Sequence, residues 1–169
     1  MVRCFIAVYP IKSEKVYELQ ENISKCVEGK EVEKENMHIT LSFLGEKTEN
    51  EIREIKLRLN ELSKKFNRRE VRLTKVKFIP DLNFPRVIAI EVVGLNDLSE
   101  AIKKEIGGDV KPPHLTLFRV KRVTDRKKLI EFSKAEINDV IYVDSIRLMK
   151  STLTWNGPIY EVIDTFELI

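Results

Sequence analysis

The chain of 169 residues has little of what staples, hinges or ligates: two cysteines, six glycines, one tryptophan and only two histidines. Cys4 and Cys26 fall on the apolar stripes of an opening strand and a first helix, where buried free thiols are expected rather than a disulfide. That use of cysteine suits a reducing cytosol. Met1-Val2-Arg3 leads straight into Cys4-Phe5-Ile6-Ala7-Val8, too short for a signal peptide, and no later apolar run reaches the roughly 20 residues of a membrane span. A cytoplasmic, membrane-free location is therefore expected. Charged residues make up 34% of the chain yet the net charge is only +3, so it lacks the one-signed field of a dedicated duplex-DNA binder. Any contact with nucleic acid must be local. Metal-binding H-E-x-x-H and C-x-x-C spacings are missing, as are the phosphate-cradling G-x-G-x-x-G and G-x-x-x-x-G-K loops and the G-x-S-x-G elbow. No metal and no cofactor is expected, and chemistry would rest on side chains alone.

Both histidines sit in the same phrase, His38-Ile39-Thr40-Leu41 and His114-Leu115-Thr116-Leu117. At ordinary residue usage such a double coincidence is on the order of one in ten thousand. A lone His on a strand is more often structural. A matched pair points instead to two acid/base groups brought together across an internal duplication.

Periodicity supports the duplication. In the first half a strand is read near Arg3 to Val8, then a helix from about Ser13 to Val27 with Val16, Leu19, Ile23, Cys26 and Val27 on its stripe and Gly29 as its stop. Strict alternation follows from His38 to Leu44, a Thr48-Glu49-Asn50-Glu51 capping box opens a helix to about Phe66, and a strand runs near Val71 to Ile79. The second half repeats the order: a strand at Val87 to Val93, a helix capped by Asn96 and ended by Gly107-Gly108, and alternation from His114 to Val120. A short helix opened by Thr124-Asp125 comes next, then strands near Ile141 to Leu153 and Ile159 to Leu168 joined by Asn156-Gly157-Pro158. With 43% apolar residues the chain can fill one core. The expected class is α+β: one bilobed domain over residues 1–169, pseudo-two-fold, with two mostly antiparallel sheets, outer helices and a central groove. Its halves cover about 1–80 and 85–169, with exchange of strands between lobes allowed.

On each His-strand the His and the Thr two residues on share a face, about 6 to 7 Å apart along the strand. A substrate could touch both. A neutral imidazole can take a proton from water while a protonated one gives a proton to a leaving oxygen, and both states coexist near neutrality. Thr hydroxyls suit phosphate oxygens.

His38-Ile39-Thr40-Leu41-Ser42-Phe43-Leu44-Gly45 and His114-Leu115-Thr116-Leu117-Phe118-Arg119 resemble the paired signatures of the two-histidine (2H) phosphoesterase superfamily, in particular its 2'-5' RNA ligase branch. Arg3 to Val8 is similar to that family's opening strand and Phe84-Pro85-Arg86-Val87-Ile88 to its middle strand. Lys150-Ser151-Thr152-Leu153, Gly157-Pro158-Ile159-Tyr160 and Phe166-Glu167-Leu168 are similar to its tail. The resemblance implies a metal-independent RNA 2',3'-cyclic phosphodiesterase that leaves a 2'-phosphate. It implies that His38 protonates the departing O3', His114 activates water, and Thr40 and Thr116 hold phosphate oxygens. Phe43 and Arg119 match positions that contact the nucleotide by stacking and by charge. Ideal alternation, however, puts both on the face opposite His and Thr, so their participation requires a bulge or a turning strand end. The substrates implied are RNA ends bearing 2',3'-cyclic phosphate, tRNA halves among them, met by a monomer, with 2'-5' joining as a side activity. Cations at Arg68-Arg69, Lys75, Lys77, Lys121-Arg122 and Arg126-Lys127-Lys128, interleaved with Phe78 and Phe118, would flank the groove and favour an RNA end. Competing readings are a phosphodiesterase of small cyclic phosphates derived from ADP-ribose and a non-catalytic RNA-binding module.

Overall fold

Ser13, Thr48 and Asp125 each accept a backbone N–H with the side chain, from Val16, Glu51 and Lys128. A helix starts after each of them in the computed structural model, which describes residues 1–169. These are α1 (Glu14–Ser24), α2 (Glu49–Ser63) and α4 (Arg126–Phe132). At α2 the capping box is closed in both directions, satisfying two otherwise orphaned amides. The fourth helix, α3 (Asn96–Glu105), has Leu95 at the cap position and no side-chain cap bond, so Asn96 is its first helical residue rather than its cap.

Nine strands complete the chain: β1 (Val2–Val8), β2 (Val27–Glu31), β3 (Ile39–Lys47), β4 (Arg69–Ile79), β5 (Val87–Val93), β6 (His114–Val123), β7 (Glu136–Val143), β8 (Ser145–Thr154) and β9 (Gly157–Glu167). Two departures from the sequence reading have clear causes. The first helix stops at Ser24, because Val27 to Glu31 turns back as β2 to pair with β6, a long-range partner that local periodicity cannot register. Gly29 is therefore a strand residue, not a helix stop. A Cβ there would collide with the Arg119 carbonyl, so the close approach of β2 to β6 depends on its bare backbone. The second departure is the stretch read as one strand from Ile141 to Leu153, which breaks at Asp144. Buried positions shift phase there, from Val143 to Ile146 and Leu148. The flanking segments part company, β7 pairing with β4 and β8 with β1.

All pairings are antiparallel, in the order β7-β4-β5-β6-β3-β1-β8-β9, with β2 also on β6. The curled sheet has two wings. One contains β3, β1, β8 and β9; the other contains β6, β5, β4, β7 and β2. Each wing takes strands from both halves of the chain. They meet at a single pair, Ile39 opposite Leu115. The helices cover the outer face, α2 against β8 and β9, α3 against β3, and α1 against β2 and β7. One core of 32 buried residues runs beneath both wings, and a small second cluster of Phe5, Ala7 and Met149 touches Tyr9 and Tyr160. Cys4 and Cys26 are buried and free. No helix is long and apolar enough to cross a membrane.

Ile39 and Leu115 are both fully buried where the wings join. Ile39→Ala should lower unfolding free energy by about 2–5 kcal/mol. Chemical denaturation checks this; a loss under about 1 kcal/mol would mean that the seam does not bind the wings together.

Candidate active site

Extended by one residue each way, the antiparallel register at Ile39–Leu115 sets His38 opposite Thr116 and Thr40 opposite His114. The two histidines are then diagonal neighbours, with backbones about 7–8 Å apart. Each motif faces the other across the seam. The four side chains are half-buried and line one cleft of about 310 Å³.

The rings are aimed by the same device twice. His38 Nδ1 lies 2.8 Å from the Asn36 carbonyl and His114 Nδ1 lies 2.9 Å from the Pro112 carbonyl, two residues upstream in both cases. A carbonyl can only accept, so Nδ1 carries the proton in each ring. Nε2 is left to the cleft, as a lone pair in the neutral ring and as a donor in the charged one. The hydroxyls of Thr40 and Thr116 make no hydrogen bond within the protein, which leaves both available.

Phe43 and Arg119 reach the same cleft because both strands bulge at the third residue after the histidine. Along β1, Ala7 faces Thr40 but Ile6 faces Ser42, so Leu41 is the extra residue. Along β5, Ala89 faces Thr116 but Ile88 faces Phe118, so Leu117 is extra. Each bulge turns two consecutive side chains inward, Leu41 with Ser42 and Leu117 with Phe118, all buried. The next residue is thrown to the cleft side. The groups expected on the wrong face by ideal alternation therefore line the cleft with His and Thr.

Both bulges are braced. Ser42 Oγ donates to the Gly107 carbonyl at 2.8 Å, and Phe43 and Asp109 exchange backbone hydrogen bonds of 2.9 and 2.8 Å. A Cβ on Gly108 would strike Ser42 and the Phe43 carbonyl, so the loop after α3 can press on β3 only with glycine there. On the other strand the Leu117 carbonyl accepts from Val32 N at 2.8 Å and from Gln20 Nε2 at 3.2 Å. The same Gln20 amide also donates to the Val32 carbonyl at 2.8 Å. This buried residue, the only glutamine in the chain, thus ties Val32, the residue after β2, to the bulge.

His38 is packed edge-on by Tyr160, with centroids 5.0 Å apart, and Phe5 lies 5.1 Å away on a tilted plane. This burial pushes the His38 pKa below its ordinary 6.5; the Asn36 carbonyl opposes the shift, and the charges of His114 and Arg119 add to it. Burial pushes the Tyr160 hydroxyl up. Arg119 forms no ion pair, and Lys30 reaches the cleft from β2, where its ammonium donates to the Asn156 carbonyl. Glu31 and Glu33 also line the cleft.

Sequence reasoning does not single out Lys30, Asn36, Pro158 or Tyr160 as site residues. Tyr160 lies in the tail that carries the resemblance, a usable signal. Lys30 sits in a short polar strand that gives none. Two aromatics expected to stack on bases are not free to do so: Phe118 is buried and Phe78 packs on the core. Several of the expected flanking cations are engaged elsewhere, Arg68 with Glu167, Arg69 with Asp97 and Arg122 with Glu28. No group of three His, Cys, Asp or Glu side chains is placed to hold a metal ion.

The profile of the family described as "LigT like Phosphoesterase" matches residues 8–89. A Methanocaldococcus jannaschii protein named RNA 2',3'-cyclic phosphodiesterase is 40% identical over 86% of this chain and 91% of its own length. A protein of the same name from Aquifex aeolicus is 35% identical over 99% of this chain and 98% of its own. Among solved structures, a Thermus thermophilus protein superposes with a TM-score of 0.83 at 24% identity, covering 98% of this chain and 97% of that one. E. coli LigT complexed with phosphate superposes at 0.71 with 18% identity, covering 99% and 97%. At those identities the likeness is one of fold.

The setting of His38 predicts that its NMR titration midpoint lies below 6.5 in the free protein. Inorganic phosphate should raise it, because a bound anion favours the imidazolium. A free-protein midpoint at or above 6.5 would contradict the burial described.

Proposed function

The chain belongs to the LigT-like phosphoesterases of the two-histidine superfamily, and from that premise we propose that it opens RNA 2',3'-cyclic phosphates to 2'-phosphates using its two imidazoles as acid and base. The observation that carries the reading is the matched pair of rings. Each is held by Nδ1 to a backbone carbonyl, each turns Nε2 to one cleft, and each stands across from an unpartnered Thr hydroxyl.

In the proposed step, water attacks phosphorus opposite the O3' leaving group. His114 Nε2 takes the water proton as the P–O bond forms. His38 gives its Nε2 proton to O3' as the P–O3' bond breaks, leaving a 3'-hydroxyl and a 2'-phosphomonoester. The resemblance supports this order; burial favours the neutral ring in free His38, so the acid role requires that the bound anion raise its proton affinity. The diester anion beside it restores the proton in the complex. Thr40 and Thr116 donate to the non-bridging oxygens, Arg119 offsets the charge that gathers there, and Phe43 offers the base a ring face. No metal or cofactor enters this scheme. The substrates are single-stranded RNA ends, tRNA halves among them, met in the cytoplasm by a monomer. With an RNA 5'-hydroxyl in the place of water, the same step joins two ends through a 2'-5' bond.

Incubation with a 2',3'-cyclic-phosphate oligoribonucleotide in EDTA should yield the 2'-phosphate. His38→Ala and His114→Ala should each cut turnover by about 10²- to 10⁴-fold while the circular dichroism spectrum stays unchanged. A 3'-phosphate product, or a need for added metal, would sink the mechanism. The pH profile of kcat/KM should be bell-shaped, because the base must be neutral and the acid protonated. The two limbs belong to the coupled pair. The acid limb should fall below 6.5, since the depressed group of the pair sets it. A flat profile between about pH 5 and 8 would refute paired acid/base work.

A further inference from the structure

The β8–β9 hairpin ends in a two-residue turn, Trp155-Asn156, and Trp155 is 104% exposed. It is the only tryptophan in the chain. An indole fully in water gives up the burial that makes tryptophan worth encoding, so its place in the fold matters. The hairpin is a wall of the catalytic cleft: Asn156, Gly157, Pro158 and Tyr160 all line it, and Lys30 pins the turn through the Asn156 carbonyl. The end of the Lys30 side chain, reaching over from β2, lies directly against Gly157.

Next to the cleft lies a second hollow of about 390 Å³, and the two share His38, Phe43, Arg119, Pro158 and Tyr160. The hollow extends that floor towards Arg3, Ser151 and Leu153, with Glu46 across from Arg3 on the neighbouring strand. Cross-strand pairing puts Ser151 with Tyr160 and Leu153 with Pro158, so one face of the hairpin presents the Tyr160 ring, Pro158 and Leu153 in a row leading to the tip. Leu153 is 65% exposed and Phe43 46% exposed. Neither Arg3 nor Arg119 makes an ion pair. Unpaired cations along an exposed aromatic and apolar track are the chemistry that holds a single-stranded polyanion by its phosphates and stacks its bases.

We propose that this track is a subsite for the RNA nucleotides preceding the terminal cyclic phosphate, with Trp155 the stacking platform at its outer end. The inference rests on the phosphodiesterase reading for the group held in the cleft, and it deepens that reading by making an RNA strand, rather than a lone nucleotide, the preferred substrate. A second basic hollow, where Phe84 stands 82% exposed beside Arg86, Lys121, Arg122 and Arg126, is the less suitable exit. It shares no lining residue with the cleft. Arg122 is paired with Glu28, and Arg126 is spent on the Leu82 and Asn83 carbonyls.

The lone indole reports on its own surroundings. A short oligoribonucleotide ending in a 2'-phosphate should quench the fluorescence in step with binding measured by anisotropy of a labelled strand, while 2'-AMP should not. Trp155→Ala should lower kcat/KM for the cyclic-phosphate oligomer by between about 5- and 100-fold and leave a 2',3'-cyclic mononucleotide unaffected. Trp155→Phe should recover most of the loss. The proposal is overturned if the bound strand leaves the indole unquenched, if Trp155→Ala costs the oligomer nothing, or if Phe84→Ala alone produces the loss. Failure of the underlying reading looks different: the wild type would turn over neither cyclic substrate, whatever the fluorescence showed.

Discussion

One antiparallel pair, Ile39 with Leu115, holds the two wings of the sheet at their junction, and the arrangement of the site follows from its register. Slide that pair by one residue and the histidines and threonines turn from the cleft into the core, since strand faces alternate with period two. The pair cannot slide easily. Both side chains are fully buried among their neighbours, and the strands on either side are bonded along most of their length to β1 and β5. Two buried aliphatic side chains thus fix the relative positions of two imidazoles and two hydroxyls.

Around this junction the protein combines a polar device with an apolar one. The upstream carbonyls choose the tautomer and aim Nε2, and they work only because the backbone before each strand is itself held in place. The aromatic packing of Phe5 and Tyr160 on His38 does the opposite service, stripping water from the ring and weakening its grip on a proton. His38 is thereby made sensitive to whatever anion enters the cleft. Desolvation also strengthens each remaining electrostatic contact there.

Much of this was legible in the residues. The repeated His-x-Thr-Leu phrase located both walls of the cleft, and the caps at Thr48 and Asp125 located two helices. What escaped was non-local. β2 is Val-Glu-Gly-Lys-Glu, with a single buried side chain, and only its partner β6 makes it a strand. The bulges were half visible: consecutive buried Leu117 and Phe118 before a charged Arg119 mark a slip of phase, whereas in the first motif Ser42 hides the same slip behind a polar side chain that is bonded to Gly107. The two glycines that end α3 signalled a helix stop, and nothing local to them signalled that Gly108 would press against β3. The exchange of strands between wings follows from the phase break at Asp144, whose meaning depends on edges supplied from elsewhere in the fold.

The two bulges repeat one backbone manoeuvre, but the residues they deliver to the cleft are unlike: an aromatic ring at Phe43 and a guanidinium at Arg119. A cradle with true two-fold symmetry could receive its guest in either of two orientations and would have to treat them alike. Substituting a flat apolar face for a cation at one of two equivalent stations removes that degeneracy. The backbone is a palindrome and the side chains give it a reading direction, so the two walls of the cleft present unlike chemistry to whatever enters it.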